Sequence, residues 1–306
     1  MRIFTTGGTG LIGTRLVRQL QARGDSVVLL TRRPDAVRER FGNCTIVGGD
    51  PTQAGDWMNA TADCDAIIHL AGENIFARRW NDEFKTLLRD SRVKSTENVV
   101  QALGKHPRTP AGQPKVLVNA SAIGYYGPTG DEELTEDSPA GADTLARVCV
   151  EWEKAARGAE THGVRVVLVR VGVVLDGEGG ALAKMLTPFK FFVGGKVGSG
   201  KQYVSWIHRD DMVGLLILVL DSASATGPIN GTAPIPVTNT ELSKAIGRAL
   251  HRPSFLPTPA FGLRLILGEV AEVVTTGQRV LPKRALALGF TFKFPGIDAA
   301  LADILA

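Results

Sequence analysis

Apolar residues along this chain recur in two rhythms. Short continuous runs, such as Ile3-Phe4 and Val27-Val28-Leu29-Leu30, alternate with stretches whose apolar positions fall on one helical face, as at Leu11, Leu16, Val17 and Leu20. A continuous run suits a strand covered on both faces of a parallel sheet. The helical spacing suits an amphipathic helix packed against that sheet. On this pattern strands are predicted at 3–6, 26–30, 45–47, 65–70, 116–118 and 165–170. Helices are predicted from Leu11 to Arg23-Gly24 and at about 36–41, 81–103 and 145–160. The β-α alternation is regular over the first 170 residues. It predicts an α/β fold, a Rossmann-type doubly wound parallel sheet with ligands at the strand C-termini.

After Arg170 the rhythm breaks. Seven glycines punctuate positions 177–200, which carry one predicted helix at 181–192. A strand is predicted at 203–207 and a helix returning to the sheet at 210–220. From Thr238 the chain reads as short helices and proline turns. The expected organisation is a dinucleotide-binding domain at 1–172 and 206–235, with a smaller C-terminal α/β lobe on the substrate side at 173–205 and 236–306.

The first turn carries the candidate chemistry. Gly7-Gly8-Thr9-Gly10-Leu11-Ile12-Gly13 lies between a strand and a helix. Gly7 and Gly10 are expected to take backbone angles closed to other residues, and Gly13 to let the helix pack close on the strand. The helix N-terminus then offers free N–H groups and a partial positive charge to a phosphate. The end of the second strand, Thr31-Arg32-Arg33, has arginines where NAD-binding domains place an acidic ribose ligand. Two guanidinium groups there would pair with a 2′-phosphate, which selects NADP(H); the alternative is that both are simply solvated. Asp50 either contacts the adenine or caps the next turn.

Composition narrows the partners. The chain has 306 residues and a net charge of +4 with no block of consecutive basic residues, so nucleic acid is not expected. The three cysteines show no metal-ligand spacing, no metal is predicted, and their odd number suits a reducing compartment. The longest apolar run, 212–220, contains Gly214 and is too short to span a bilayer, so no membrane partner is expected. No signal peptide precedes the first strand, and the expected location is cytoplasmic, as a monomer or homodimer acting on a small molecule.

Thr6-Gly7-Gly8-Thr9-Gly10-Leu11-Ile12-Gly13 with Leu70-Ala71-Gly72 resembles the extended and atypical short-chain dehydrogenase/reductase superfamily. Glu73-Asn74-Ile75, Arg79-Trp80, Ser91-Arg92, Ser121-Ala122-Ile123-Gly124-Tyr125-Tyr126-Gly127 and Trp152-Glu153 narrow the likeness to its "epimerase family protein" branch. Ser205-Trp206-Ile207-His208, Asn230-Gly231-Thr232-Ala233-Pro234 and Gly289-Phe290-Thr291-Phe292 fit the same branch, so the resemblance spans essentially the whole chain. It implies an NADP(H)-binding Rossmann domain with a C-terminal lobe and leaves the substrate open. It implies cofactor contacts from Thr9, Leu11, Ile12, Thr31, Leu70, Ala71, Gly72, Glu73 and Arg92, beside the glycines and the arginine pair; Glu73 reads as a ribose or substrate contact, a general base or a helix N-terminal anion, and Arg92 either lies near the cofactor or is solvated at the surface.

The departures from the superfamily matter as much. Its usual proton relay is Tyr-x-x-x-Lys on the helix after the fifth strand, with a serine or threonine nearby. Aligning Glu153 with the family's helix glutamate puts Leu145 and Cys149 in the Tyr and Lys places, and Ala122 in the serine place. Ser121, Tyr125 and Tyr126 remain as catalytic candidates, each tyrosine being either a proton donor or part of a pocket wall. Ser121, Arg170, Gln202, Trp206 and His208 are the substrate-side candidates. Arg170 either holds a ligand or ties elements by a salt bridge, and His208 either binds substrate or anchors a helix start. Two functions follow: an NADP(H)-dependent oxidoreductase or epimerase-like enzyme, or a non-catalytic NADP(H)-binding sensor, some members of the branch carrying a cell-division label.

Overall fold

The computed structural model describes residues 1–306, apart from the side chains at 266 and 267. The chain begins with β1 (Arg2–Thr6), α1 (Leu11–Ala22), β2 (Ser26–Thr31), β3 (Thr45–Gly48) and β4 (Ala66–His69). It continues through α2 (Asp82–Lys105), β5 (Val116–Ala122), β6 (Glu133–Leu134), α3 (Thr144–Arg157), β7 (Arg165–Val171) and β8 (Val173–Leu175). Next come α4 (Gly180–Lys190), β9 (Tyr203–Val204), β10 (Trp206–His208), α5 (Arg209–Asp221) and β11 (Gly227–Gly231). The last part holds β12 (Val237–Thr238), α6 (Asn239–Leu250), α7 (Ala260–Leu267), α8 (Glu272–Thr275), β13 (Arg279–Val280), α9 (Lys283–Ala287) and α10 (Ile297–Leu305).

Seven strands form one parallel sheet in the order β11-β7-β5-β4-β1-β2-β3. The chain lays β2 and β3 on one side of β1, then returns to place β4 on the other. That reversal opens a crevice between the C-terminal ends of β1 and β4, where doubly wound sheets bind ligands. Successive side chains on a strand point to opposite faces. Ile3, Leu29, Ile68 and Val118 therefore pack on one face with Leu16, Val17 and Leu20 of α1 and Met212, Leu215 and Leu216 of α5. Phe4, Val28, Ile67 and Leu117 pack on the other with Val99, Ala102 and Leu103 of α2 and Ala156 of α3. Covering both faces accounts for the unbroken apolar runs of the sequence. A third core, holding Leu182, Trp206, Leu242, Ile246 and Leu301, lies in the later segments.

The structure corrects several elements. No helix forms at 36–41; a single short turn at Asp35–Val37 is followed by loop, because only Val37 and Phe41 offer an apolar spacing there. The helix predicted at 145–160 stops at Arg157 and continues as a tight turn, Gly158–His162. The strand predicted at 203–207 is two strands. Tyr203–Val204 pairs antiparallel with Val237–Thr238, whereas Trp206–His208 pairs parallel with Val173–Leu175. The chain changes partner at Ser205, whose carbonyl accepts from Val173 N at 2.9 Å; its hydroxyl ties in a third segment, donating to Gln278 O and accepting from Val280 N, both at 2.8 Å. The seventh sheet strand, Gly227-Pro228-Ile229-Asn230-Gly231, reads as a turn in sequence; an edge position tolerates its proline. Among the described residues no helix is long and apolar enough to cross a membrane.

Leu117 lies fully buried in the sheet. Leu117→Ala is expected to cost about 2–5 kcal/mol in urea unfolding, from lost transfer energy and the residual cavity. Val150→Ala, on the exposed side of α3, is expected to stay within about 0.5 kcal/mol of the parent.

Candidate active site

The crevice is built around the turn after β1. Gly7 sits at φ +68°, and a Cβ there would lie 2.6 Å from the Leu70 carbonyl carbon. A Cβ on Gly13 would meet Gly7 O at 2.2 Å and Gly8 Cα at 2.6 Å. Both positions exclude every side chain, Gly7 by conformation and closeness, Gly13 by closeness alone. Gly10 is different from expectation. Its φ of −78° is open to any residue, and its N–H closes the turn onto Gly7 O at 3.0 Å. Its value lies in leaving the exposed mouth of the turn bare. The first regular bond of α1 runs from Thr14 N to Gly10 O, so the N–H groups of Leu11, Ile12 and Gly13 precede the ladder. The first helical turn holds no acidic residue and Gly10 supplies no side-chain cap, so nothing in the helix itself neutralises these donors.

The other wall is the loop after β4, Leu70-Ala71-Gly72-Glu73. It is fixed by a buried polar chain that sequence reasoning missed. Ala71 N donates to Thr6 Oγ1 (3.3 Å), Thr6 Oγ1 meets His69 Nδ1 (2.6 Å), and His69 Nε2 meets Ser95 Oγ (3.0 Å). Because the Ser95 hydroxyl donates to Ser91 O at 2.7 Å, it accepts from His69 Nε2–H, and Nδ1 then accepts from the Thr6 hydroxyl. That assigns a neutral imidazole. Burial pushes its pKa from 6.5 down to about 3. Polar residues inside strand ends were the available signal. Further along the loop, Glu73 N donates to Ser91 Oγ at 3.0 Å, and Arg92 Nη2 donates to Glu73 O at 2.9 Å. The Arg92 guanidinium also reaches Leu88 O and lies 5.4 Å from the centre of the Trp152 ring, so it braces the loop from behind.

At the end of β2, Thr31 is half-buried and its hydroxyl accepts from Arg33 N. Arg32 and Arg33 are exposed, and neither is in an ion pair among the described residues. A third guanidinium, that of Arg40, donates to Thr14 Oγ1 at 3.0 Å and so reaches the first turns of α1. Its position in an irregular loop hid it from sequence reasoning. Asp50 caps a turn, its carboxylate accepting from Thr52 N and Oγ1.

The candidate catalytic residues lie at and beyond the end of β5. Leu145 and Cys149 do face the turn after that strand, their Cβ and Sγ lying 3.5 and 3.9 Å from where a Cβ on Gly124 would be. Cys149 is buried, and burial pushes its thiol up to about 12. Neither residue can relay a proton at neutral pH. Ser121 and Arg170 are register partners on β5 and β7. Both point into a buried cluster: Glu153 of α3 accepts from Ser121 Oγ (2.8 Å) and, through both oxygens, from Arg170 Nε (2.8 Å) and Nη2 (2.9 Å). Arg170 Nη1 donates to Tyr126 Oη at 2.9 Å, and that hydroxyl donates to Asn230 Oδ1 at 2.7 Å. Burial raises the Tyr126 pKa against the lowering pull of Arg170. Tyr125 is placed otherwise. It is half-buried, with its ring 3.4 Å from the Arg170 guanidinium carbon and edge-on to Tyr126.

Three substrate-side candidates are engaged elsewhere. Gln202 Nε2 donates to Val197 O and Val274 O. Trp206 is fully buried and donates to Ile235 O. His208 is fully buried, caps α5 by accepting from Asp210 N, and meets Asp303 at 3.1 Å. The structure brings Ser121, Tyr125, Tyr126 and Arg170 together; it does not bring Gln202, Trp206 or His208 to them through any of these bonds.

A parallel sheet with a bare glycine turn at its switch point defines a dinucleotide-binding α/β protein of short-chain dehydrogenase/reductase type. The chain belongs to the NAD dependent epimerase/dehydratase family, whose model matches residues 3–230, and a domain of unknown function (DUF1731) matches residues 258–304. Within that family it falls among the epimerase family proteins. It is 43% identical over 305 residues to the chloroplastic epimerase family protein SDR39U1 homolog of Arabidopsis thaliana, covering 100% of this chain and 87% of the relative. It is 38% identical over 310 residues to the Homo sapiens epimerase family protein SDR39U1, covering 100% of both. A crystal structure of human epimerase family protein SDR39U1 (isoform 2) with NADPH superposes with a TM-score of 0.87 at 36% identity, covering 100% of this chain and 99% of that one.

Two outcomes test the site's construction. Arg170→Met leaves the Glu153 carboxylate buried and unpaired and is expected to cost about 3–5 kcal/mol in urea unfolding, while Glu153→Leu/Arg170→Met recovers most of that loss. For His69, the unfolded chain takes up a proton near pH 6.5 that the folded chain refuses until about pH 3. Stability from this group is therefore complete above pH 6.5 and falls towards pH 3, by up to about 1.4 kcal/mol per pH unit. Urea midpoints at about pH 7.5 and pH 5 should differ less for His69→Gln than for the parent.

Proposed function

We propose that the chain binds NADP(H) and works as an oxidoreductase or epimerase-like enzyme on a small molecule. One observation carries the cofactor reading: the turn at Gly7–Gly13 would lose its shape to a Cβ at either end, while Arg32 and Arg33 stand exposed without a carboxylate. The N–H groups of Leu11, Ile12 and Gly13, with Gly10 and Thr9 beside them, would hold the pyrophosphate. Arg32 and Arg33 with Thr31 would hold the 2′-phosphate, and Arg40 is close enough to α1 to join them. The loop Leu70-Ala71-Gly72-Glu73, braced by Arg92, would border the cofactor on its other side. The NADPH in the human relative's crystal structure supports the same choice of nucleotide. Residues 1–172 and 206–235 form the cofactor side on this reading, and 173–205 and 236–306 the substrate side.

A nicotinamide bound there supplies or accepts hydride. What remains for the chain is a proton. Tyr126 is committed to Asn230 and Arg170, and the Ser121 hydroxyl to Glu153. Tyr125 is the phenol left to give or take a proton at a substrate oxygen, its ring held in place against the Arg170 guanidinium. Arg170 then acts through Tyr125 and Tyr126 as a positioning residue. We infer a cytoplasmic protein, a setting that suits its three free cysteines, acting as a monomer or homodimer.

The second reading is a sensor that binds NADP(H) without turnover, and Leu145 and Cys149 beneath Gly124 favour it. Fluorescence titration with NADPH and NADH tests the shared claim. Arg32→Glu is expected to weaken NADPH binding tenfold or more, about 1.4 kcal/mol, and to leave NADH nearly unchanged. Equal weakening of both would remove the 2′-phosphate assignment. Incubation with labelled NADPH and carbonyl compounds, nucleotide sugars included, separates the readings. Isotope transfer that Tyr125→Phe abolishes supports the enzyme, and tight binding with no transfer to any of them supports the sensor.

A further inference from the structure

Charge is unevenly spread along this chain. Residues 179–208 carry Lys184, Lys190, Lys196 and Lys201, and residues 242–268 carry Lys244, Arg248, Arg252 and Arg264. Neither segment contains an aspartate or glutamate. These eight positive charges against a whole-chain net of +4 leave the remainder at −4. The two segments are far apart in sequence and side by side in space. Leu256 N donates to Gly194 O at 3.2 Å, Thr258 N to Lys196 O at 2.8 Å, and Gly198 N to Thr258 O at 2.9 Å. Arg252 lies over the Phe192 ring, 4.4 Å from its centre.

The same place exposes large apolar side chains. Phe191 and Phe255 are each 72% exposed, and Phe192, Val193 and Leu256 are exposed beside them. Phe192 takes φ +62°, a left-handed conformation rare for an aromatic residue, so the turn that presents these rings is held at a conformational cost. On the adjoining α7, Phe261 and Leu265 are exposed one helical turn apart and so share a face. Seven of the large hydrophobic residues on the surface thus fall in the two segments that lack acidic residues. A shallow cavity of about 480 Å³ opens against them, lined by Lys244, Gly247, Arg248, His251, Arg252 and Ser254. Arg248 pairs with Asp298, and Arg264 lies 3.7 Å from Glu272. Among the described residues Lys190, Lys196, Lys244 and Arg252 have no carboxylate within salt-bridge distance.

We propose that this face docks on an anionic lipid bilayer. Phenylalanines set among unpaired cations match the two layers of such a surface: rings enter at the acyl boundary, and cations meet lipid phosphates. Phe191, Phe192, Phe255 and Leu256 are the inserting residues. Lys190, Lys196, Lys244 and Arg252 are the phosphate contacts, with the cavity receiving a headgroup. The charge argues against a second copy of the chain as the occupant, because an isologous contact would set this positive face against itself. The binding is peripheral, so the length of the longest apolar run does not bear on it.

Flotation of the full chain with vesicles tests the proposal. Vesicles of phosphatidylcholine with about one-third phosphatidylglycerol should carry the protein at low salt, and pure phosphatidylcholine vesicles should not. Raising salt to about 0.5 M should release it through screening. Phe191→Ser/Phe255→Ser and Lys190→Glu/Lys196→Glu should each lower partitioning about tenfold or more, with circular dichroism melting curves matching the parent. All these residues are exposed, so neither pair of substitutions disturbs a core. The proposal is overturned if anionic vesicles fail to carry the parent at low salt, or if both variants float as the parent does. It is also overturned if the parent sediments as a dimer that the phenylalanine variant dissolves while neither binds vesicles, since the face would then be a self-association surface. Loss of vesicle binding in a chain that still binds NADPH separates this face from the nucleotide site.

Discussion

The buried ion pair between Arg170 and Glu153 is the constraint on which the β5–β7 side of the crevice depends. Taking two such charges out of water is costly unless each finds partners in good geometry. Here Glu153 receives three hydrogen bonds and Arg170 makes four, one to the Glu136 carbonyl. Burial alone would lower the Arg170 pKa; the Glu153 carboxylate reverses this and raises it, so the guanidinium is held charged. Through it α3 is tied to β7, β5 through Ser121, and the turn after β5 through Tyr126. The tie extends outward. Tyr126 leads to Asn230 on β11, and Asn230 Nδ2 leads to Leu281 O. Glu136 accepts from Asn230 N and Arg284 N, joining the same strand to the start of α9. Glu153, on the helix after β5, is thus the centre of a polar brace.

The cofactor side is organised by the opposite device, the absence of side chains. Gly7 and Gly13 let β1, α1 and the loop after β4 approach closely, and the first helical turn is left without an internal counter-charge. One half of the crevice is shaped by what a Cβ would obstruct, the other by charges that must be matched. The first half tolerates no substitution at two points and much variation elsewhere. The second couples many residues, so single changes there propagate.

This difference explains what could be read from the chain. Strands covered on both faces leave unbroken apolar runs, and six of the seven sheet strands were legible for that reason. Gly227-Pro228-Ile229-Asn230-Gly231 was not, because an edge strand needs only one apolar side chain and its glycines and proline resemble a turn. The glycine spacing and the Arg32-Arg33 pair are local patterns and were read directly. Ser121, Tyr126 and Arg170 were found as residues of interest, but their engagement with Glu153 and Asn230 spans contacts far apart in sequence. The Thr6-His69-Ser95 chain was invisible for the same reason, and so was the change of strand partner at Ser205, where residues 173, 237–238 and 278–280 converge from distant parts of the sequence.

The edge strand β11 has a consequence for how this protein is made. Its partner β7 ends at Val171, and more than fifty residues of lobe and helix separate the two. While a ribosome is still synthesising that intervening segment, β7 presents an open row of backbone donors and acceptors with apolar faces on both sides. Non-local parallel pairing of this kind closes slowly. The nascent chain therefore passes through a window in which that edge of β7 has no strand beside it, and the window shuts only when Ile229 and Asn230 have left the exit tunnel. The late strand works as a seal, and the time taken to deliver it sets how long the unfinished sheet is open to misassembly.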